Sequence, residues 1–232
     1  MTTLVLLPGM DGTGTLFDPL LAALGPALTP QVLRYPPDAP LGYAELEDRV
    51  AAELPRDRPY VLLGESFSGP IAIALAARRP PHLRGLILCC SFAVSPLPAL
   101  AWMPEAWIAA LVRLTPYVVL RQALMGGFTS TEGNAAFDQA LAPVAPAVMA
   151  HRARAALTVD RRPELERIEV PMVYLQAEHD RVVGAGAAAA IQARAPQMGI
   201  ERFDAPHFLL QSRPQEAAAA IERFTRGLGT AP

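Results

Sequence analysis

The stretch Val61-Leu-Leu-Gly-Glu-Ser-Phe-Ser-Gly-Pro70 joins an apolar strand pattern to a helical pattern through a turn of small residues. A strand that passes directly into a helix in this way holds a serine hydroxyl above the carboxyl end of a sheet. Gly64 and Ser68 flank the turn, and both are small enough for the close backbone approach that it requires. The pattern predicts Ser66 as a nucleophile, whereas Ser68 falls inside the first helical turn.

Short apolar runs alternate with helical patterns along most of the chain. The predicted strands are Leu4–Leu7, Val32–Tyr35, Tyr60–Leu63, Gly85–Cys90, Met172–Gln176 and Ile200–Phe203. The predicted helices are Phe17–Leu24, Tyr43–Leu54, Phe67–Arg78, Ala185–Arg194 and Pro214–Leu228. Near-continuous apolar strands separated by helices are typical of a parallel sheet that is buried on both faces. The sequence therefore predicts an α/β fold, with a mainly parallel six-stranded sheet and helices on both faces.

One long segment breaks this alternation. Residues 96–163 contain no strand pattern, only helical stretches that are cut by prolines and rich in aromatic residues and methionine. We expect a helical cap, or lid, inserted into a core formed by residues 1–95 and 164–232; the alternative is a helical subdomain that binds no ligand. The residues expected to line a substrate pocket are Gly9, Asp11, Trp102, Trp107, Phe128 and Phe208.

The composition excludes several classes of protein. The chain has 232 residues, a formal net charge of −2, 52% hydrophobic residues and 18% charged residues. A balanced charge argues against nucleic-acid binding, and the apolar fraction argues against disorder. The adjacent Cys89 and Cys90 fit a buried strand, and no cysteine or histidine spacing indicates a metal site. The start of the chain lacks a signal-peptide pattern, and the uncharged window 85–104 contains three prolines. We therefore expect a cytoplasmic protein without a membrane span.

A serine nucleophile needs a base, and the base needs an orienting acid. His207 follows the last predicted strand directly, so its loop opens at the same edge of the sheet as Ser66. Asp180 follows the strand before it, with Glu178 as the weaker alternative in the same turn. The turn after Gly85–Cys90 contains no carboxylate. The sequence therefore predicts His207 as the base and Asp180 as the acid.

The loop after the first strand, Leu7-Pro-Gly-Met-Asp-Gly-Thr-Gly14, is rich in glycine. Glycines let the backbone fold closely against a substrate, so the backbone N–H of Met10, together with that of Phe67, is predicted to form an oxyanion hole. A phosphate cradle is the alternative, but the loop has no lysine and Asp11 would repel a phosphate. Asp11 is expected to cap the following helix or to order the loop.

The turn around Ser66, the Leu7-Pro8-Gly9 loop, and the chain order of Ser66, Asp180 and His207 together resemble the α/β-hydrolases. The resemblance spans nearly the whole chain and implies a trimmed six-stranded core with a cap at the helical insertion. Within the family, the chain is similar to small bacterial carboxylesterases such as the pimeloyl-acyl-carrier-protein methyl ester esterase. Pro8 stands where the family often has histidine.

These residues and this resemblance predict a serine hydrolase that cleaves carboxylic esters with apolar acyl groups and uses no metal or organic cofactor. Thioesterases and acyltransferases use the same three groups, so hydrolysis and transfer stay open. A coenzyme A or acyl-carrier partner would be marked by a basic patch; its candidates, which also fit ordinary surface arginines, are Arg113, Arg121, Arg152 and Arg154. A non-catalytic binding protein on the same fold is the alternative from another class.

Overall fold

A computed structural model describes residues 2–128 and 130–229. Within this part of the chain, six strands form one sheet; they are β1 (Thr2–Leu7), β2 (Leu28–Val32), β3 (Tyr60–Glu65), β4 (Leu83–Cys89), β5 (Met172–Ala177) and β6 (Gly199–Phe203). The order across the sheet is β2-β1-β3-β4-β5-β6, and all neighbouring strands are parallel. The predicted six-stranded parallel sheet is confirmed.

Helices pack on both faces of this sheet. The α-helices of the described chain are α1 (Asp18–Ala23), α2 (Tyr43–Glu53), α3 (Gly69–Ala77), α4 (Glu105–Leu114), α5 (Tyr117–Met125), α6 (Thr131–Leu141), α7 (Pro146–Thr158), α8 (Arg162–Leu165), α9 (Gly186–Gln192), α10 (Leu209–Ser212) and α11 (Pro214–Gly227). Successive strand residues point to opposite faces, so Leu62 belongs to the core layer that includes α2, α3 and α9, while Val61 and Leu63 belong to the layer that includes α1 and α11. Every central strand is therefore buried on both sides.

The second strand lies upstream of its predicted position. Val32–Tyr35 is apolar, but the strand paired with β1 is Leu28–Val32. β2 is an edge strand, so it tolerates Pro30 and half-exposed side chains that hide the strand pattern. Leu33 and Tyr35 are buried beyond the end of β2, where their backbone N–H groups donate to the carbonyls of Leu6 and Gly12. The apolar run therefore indicates the buried residues at and after the end of β2, and not the full extent of the strand.

The helical segment between β4 and β5 holds α4 to α8. α4 packs against α7, and residues of α5, α6 and α7 face the carboxyl end of the sheet. Among the described residues, none of the helices is by itself both long and apolar enough to cross a membrane. α4 and α5 reach that length and composition only as a pair, and they are bent by 95° at the break between them.

Candidate active site

Ser66 occupies a sharp turn between β3 and α3. Its φ of +49° lies in the left-handed region that serine seldom adopts, so neighbouring groups must hold it. The Ser91 hydroxyl donates to the Ser66 carbonyl at 2.5 Å, and the Tyr43 hydroxyl donates to the Phe67 carbonyl at 3.1 Å. A side chain at Gly69 would overlap the Ser91 hydroxyl. The absence of a side chain at Gly69 thus lets Ser91 pack closely against the start of α3.

His207 and Asp180 lie in loops that follow β6 and β5, at the same edge of the sheet as Ser66. His207 Nε2 is 2.9 Å from Ser66 Oγ, and His207 Nδ1 is 2.8 Å from Asp180 Oδ2. The two side chains are only 3% and 5% exposed. With Nδ1 protonated toward Asp180, Nε2 accepts the serine hydroxyl. This arrangement can remove the Ser66 proton and stabilise the imidazolium that results.

Asp180 is held as a carboxylate. Its Oδ1 accepts hydrogen bonds from the backbone N–H groups of Val182 and Val183 at 2.8 and 2.9 Å, and its Oδ2 accepts one from His207. Burial raises the pKa of Asp180, but the His207 hydrogen bond and charge and the two backbone donors outweigh it, so the pKa lies below its ordinary value. Glu178, the weaker alternative for the acid, is exposed and is not the partner of His207.

The glycine-rich loop after β1 brings Met10 beside Ser66. The loop is closed by a hydrogen bond from the Gly12 N–H to the Gly9 carbonyl at 3.1 Å, with Gly12 at a φ of +74°. Among the described residues, the backbone N–H groups of Met10 and Phe67 have no hydrogen-bond acceptor in the protein. Of these two residues, Met10 lines the cavity beside Ser66.

Arg152 of α7 fixes the same loop from the other side, a role that the sequence did not reveal. Its side chain is fully buried, and Nη1 donates to the Met10 and Asp11 carbonyls at 2.9 Å each. Nη2 donates to the Pro36 carbonyl at 2.8 Å, and the guanidinium lies 5.6 Å from the Tyr35 ring centre. An arginine on a helix normally indicates a solvated face, so only tertiary contacts could show this role.

The other arginines considered for a coenzyme A or carrier site do not form a patch with Arg152. Arg121 makes two hydrogen bonds to Asp138, and Arg154 donates to the Ala101 carbonyl. Arg113 is exposed on α4. Three of the four candidate guanidinium groups, those of Arg121, Arg152 and Arg154, therefore already have protein acceptors.

A cavity of about 310 Å³ opens beside Ser66 and His207. Its wall away from these groups is apolar and comes mainly from the helical segment, with Leu120, Ala123, Leu124, Phe137, Leu141 and Met149. Of the predicted pocket residues, Gly9, Asp11 and Phe208 line this cavity.

Trp102, Trp107 and Phe128 do not line this cavity, which corrects the prediction. The two tryptophans contact each other edge to face and are 67% and 56% exposed. Phe128 lies against the His179 ring and under the Arg213 guanidinium. The aromatic content of a segment indicates that it has apolar contacts to make, but it does not indicate which face of each helix turns inward.

Two carboxyl groups, Asp11 and Glu65, also line the cavity, and both are 6% exposed. Asp11 accepts from the Thr13 N–H at 2.8 Å and so orders the loop. Glu65 accepts from Gln211 Nε2 at 2.9 Å. Burial raises the pKa of Glu65 to about 7; Asp11 adds to the rise, and Gln211, His207 and the Gly9 N–H oppose it.

Replacing Glu65 with glutamine is expected to flatten the pH dependence of stability. Between its ordinary pKa of 4.5 and about 7, folded Glu65 keeps a proton that the unfolded chain releases. The free energy of unfolding of the native sequence therefore falls as pH rises through this window. Glu65→Gln removes this pH-dependent contribution to the free energy of unfolding, which is on the order of 3 kcal/mol. The new amide can donate to Gln211 Oε1, an atom that lacks a partner among the described residues.

Urea unfolding of both proteins at pH 4.5, 6 and 8 measures this difference. Glu178→Gln is the matched control because Glu178 is an exposed glutamate directly after β5, at the same edge of the sheet. An unchanged slope in Glu65→Gln would mean that Glu65 ionises in the folded protein as it does in the unfolded chain.

One group of side chains near the site has metal-binding atoms in mutual reach. Atoms of Cys90, Asp180 and His207 lie within 4.8 Å of one another. Asp180 and His207 already bind each other, and Asp180 accepts two backbone N–H groups. An ion here would have to break the pairing that orients His207.

The sequence from residue 4 to residue 220 matches the family described as the alpha/beta hydrolase family. A stretch of 116 residues is 38% identical to phytyl ester synthase 1, chloroplastic, of Arabidopsis thaliana; it covers 44% of this chain and only 16% of that protein. Among solved structures, an esterase from Exiguobacterium antarcticum is similar with a TM-score of 0.80 and 14% identity, over 97% of this chain and 92% of that one. The enol-lactonase from Burkholderia xenovorans LB400 gives a TM-score of 0.78 and 18% identity, over 97% and 91% of the two chains. At these identities the structures show a shared fold.

Proposed function

Because this chain belongs to the alpha/beta hydrolase family, we propose that it is a serine hydrolase that cleaves carboxylic esters with apolar acyl groups. The observation that carries the proposal is the pair of hydrogen bonds that links Ser66 Oγ to His207 and His207 to Asp180. The narrower likeness to the pimeloyl-acyl-carrier-protein methyl ester esterase stays a prediction.

In the first half of the reaction, Ser66 Oγ attacks the ester carbonyl carbon while His207 Nε2 takes the hydroxyl proton. Asp180 stabilises the imidazolium that forms. The carbon–oxygen bond to the alcohol then breaks, and His207 returns the proton to the leaving oxygen. In the second half, water attacks the carbonyl carbon of the acyl-serine and gives a proton to His207 Nε2. The bond to Ser66 Oγ then breaks, His207 returns the proton to Ser66 Oγ, and the carboxylic acid leaves.

The developing oxyanion is proposed to accept hydrogen bonds from the backbone N–H groups of Met10 and Phe67. These donors are fixed before substrate binds, because the Arg152 contacts and the turn around Ser66 hold their backbone. Fixed donors need no reorganisation in the transition state, and each is worth about 10²- to 10³-fold in rate.

The cavity supports an apolar substrate group. Beyond Ser66 and His207, its wall consists mainly of aliphatic and aromatic side chains from α5, α6 and α7. We propose that these helices act as a cap over the site. Neutral apolar groups gain from burial there, whereas a sugar would leave its hydroxyl groups without partners.

A series of p-nitrophenyl esters from C2 to C12 is expected to show rising kcat/KM with acyl length until the cavity is full. Each buried methylene contributes about 0.8 kcal/mol, which corresponds to about fourfold in kcat/KM.

A fluorophosphonate probe should stop the reaction and leave its adduct on Ser66, located by peptide mass spectrometry. Activity that resists the probe, or an adduct on another residue, would contradict the proposed nucleophile.

Acyl transfer is the second candidate, because the similar stretch in Arabidopsis belongs to a protein named as an ester synthase. The same acyl-serine would then be attacked by an alcohol instead of water. Product analysis with long-chain alcohols present distinguishes the two reactions: a constant yield of free acid means hydrolysis, and a new ester formed at its expense means transfer.

A further inference from the structure

The surface of the helical segment carries an unusual concentration of exposed apolar side chains. The exposed large hydrophobic residues of the described chain all fall between residues 97 and 119. We call this surface the outer apolar face and define it by Trp102, Trp107, Leu111, Leu114, Tyr117 and Val118. Single exposed apolar residues are common on proteins, but a contiguous patch of this kind marks an interaction site.

The outer apolar face consists of α4, the start of α5 and the turn before α4 that holds Trp102. Trp107, Leu111 and Leu114 are spaced by four and three residues on α4 and share one side, with Leu114 79% exposed. Ile108, which lies about a quarter of a turn around α4 from this side, is buried. α4 and α5 have ten and nine residues, whereas a span needs about 20, so these helices can lie along a bilayer but cannot each cross it.

We propose that the outer apolar face docks on a phospholipid membrane surface. Tryptophan and tyrosine side chains suit the boundary between headgroups and acyl chains, because each combines an apolar ring with a polar edge. Arg113 is exposed beside Leu114, and among the described residues no carboxylate lies within ion-pair distance of it. The Glu105 carboxylate of the same helix is hydrogen-bonded to His151. The positive charge of Arg113 therefore complements the phosphates of lipid headgroups.

The outer apolar face is also continuous with the cavity through α5. Tyr117 and Val118 of this helix are exposed, and Leu120 and Leu124, within the next two turns, line the cavity beside Ser66. An apolar ester that leaves a bilayer along α5 can enter the cavity while it stays in contact with apolar side chains. This delivery step rests on the proposed function, whereas docking itself does not.

Docking is measured with Ser66→Ala protein, so that it does not depend on turnover. The probes are vesicles of phosphatidylcholine alone and of phosphatidylcholine mixed with phosphatidylglycerol. Both tryptophans of the chain lie on the outer apolar face, so a blue shift of their fluorescence reports insertion, and cosedimentation reports binding. We expect Leu111→Asp with Leu114→Asp to weaken binding at least tenfold, since both side chains would have to be buried.

The charge contribution is tested with Arg113→Gln, which is expected to weaken binding to the mixed vesicles about fivefold. The matched control is Arg58→Gln, an exposed arginine outside the helical segment. With Ser66 restored, Leu111→Asp with Leu114→Asp should keep its activity on p-nitrophenyl acetate in solution and lose at least tenfold on an ester embedded in vesicles.

Failure to sediment with either vesicle would overturn the docking proposal. A lipid-free dimer in light scattering that the two aspartates dissociate would also overturn it, and would assign the outer apolar face to a second copy of the chain. Loss of soluble ester hydrolysis in the native sequence would contradict the proposed function alone, because docking is measured on Ser66→Ala.

Discussion

Ser66→Ala is expected to lower kcat/KM for ester hydrolysis by about 10⁴- to 10⁶-fold, because no other group can form the acyl intermediate. Its effect on stability should be small. Ser66 Oγ makes its hydrogen bond to His207 at the wall of an open cavity, and the backbone contacts of the turn involve the Ser66 and Phe67 carbonyls, which alanine leaves in place. Steady-state kinetics and urea unfolding of the same preparation measure both quantities.

Ser68→Ala is the matched control, since it removes the second hydroxyl of the same turn. Ser68 is fully buried; its hydroxyl donates to the Pro8 carbonyl and is 2.6 Å from the Tyr35 hydroxyl. Alanine should lower the free energy of unfolding by about 1–3 kcal/mol, because these groups lose their partner. Its kcat should stay within about tenfold of the native value. If Ser68→Ala abolished activity and Ser66→Ala did not, the assignment of the nucleophile would be reversed.

The fold was predictable because its signals are local. A strand buried on both faces must be apolar at every position, as Tyr60–Leu63 and Gly85–Cys90 are, so its composition identifies it. Strand-to-helix turns also carry their own requirements, as Gly64 shows: a Cβ atom there would lie 2.8 Å from the Ser68 carbonyl oxygen. The edge strand β2 does not show this pattern, because its half-exposed positions need no apolar side chain.

The positions of Ser66, Asp180 and His207 were also predictable, because parallel strands carry their following loops to one edge of the sheet. The cavity wall was not predictable in the same way. Which aromatic side chains enter it depends on the rotation of α4 and α5 against the sheet, and both faces of these helices are apolar. A sequence period cannot choose between two apolar faces of α4, and Trp107 lies on the face away from the cavity. Trp102 lies in the turn before α4, where no helical period applies.

Arg152→Met is expected to lower the free energy of unfolding by about 3–5 kcal/mol, because three buried carbonyls lose a charged donor, and kcat by about 10²-fold. Methionine fills much of the same volume but donates no hydrogen bond, so the buried carbonyls of Met10, Asp11 and Pro36 lose their donor. Backbone rotation that lets the Met10 carbonyl reach water also turns the adjoining peptide group, which carries the Met10 N–H. The oxyanion would then lose one fixed donor.

Arg154→Met is the control on the same helix, because its guanidinium donates to the Ala101 carbonyl outside the loop. It should leave kcat unchanged. Kinetics well below the melting temperature separate the two roles of Arg152: displacement of an oxyanion donor lowers kcat with little change in KM, whereas a purely structural loss lowers only the melting temperature. Full kcat in folded Arg152→Met would mean that the Gly12 hydrogen bonds to Gly9 and Tyr35 hold the loop without help from the helical segment.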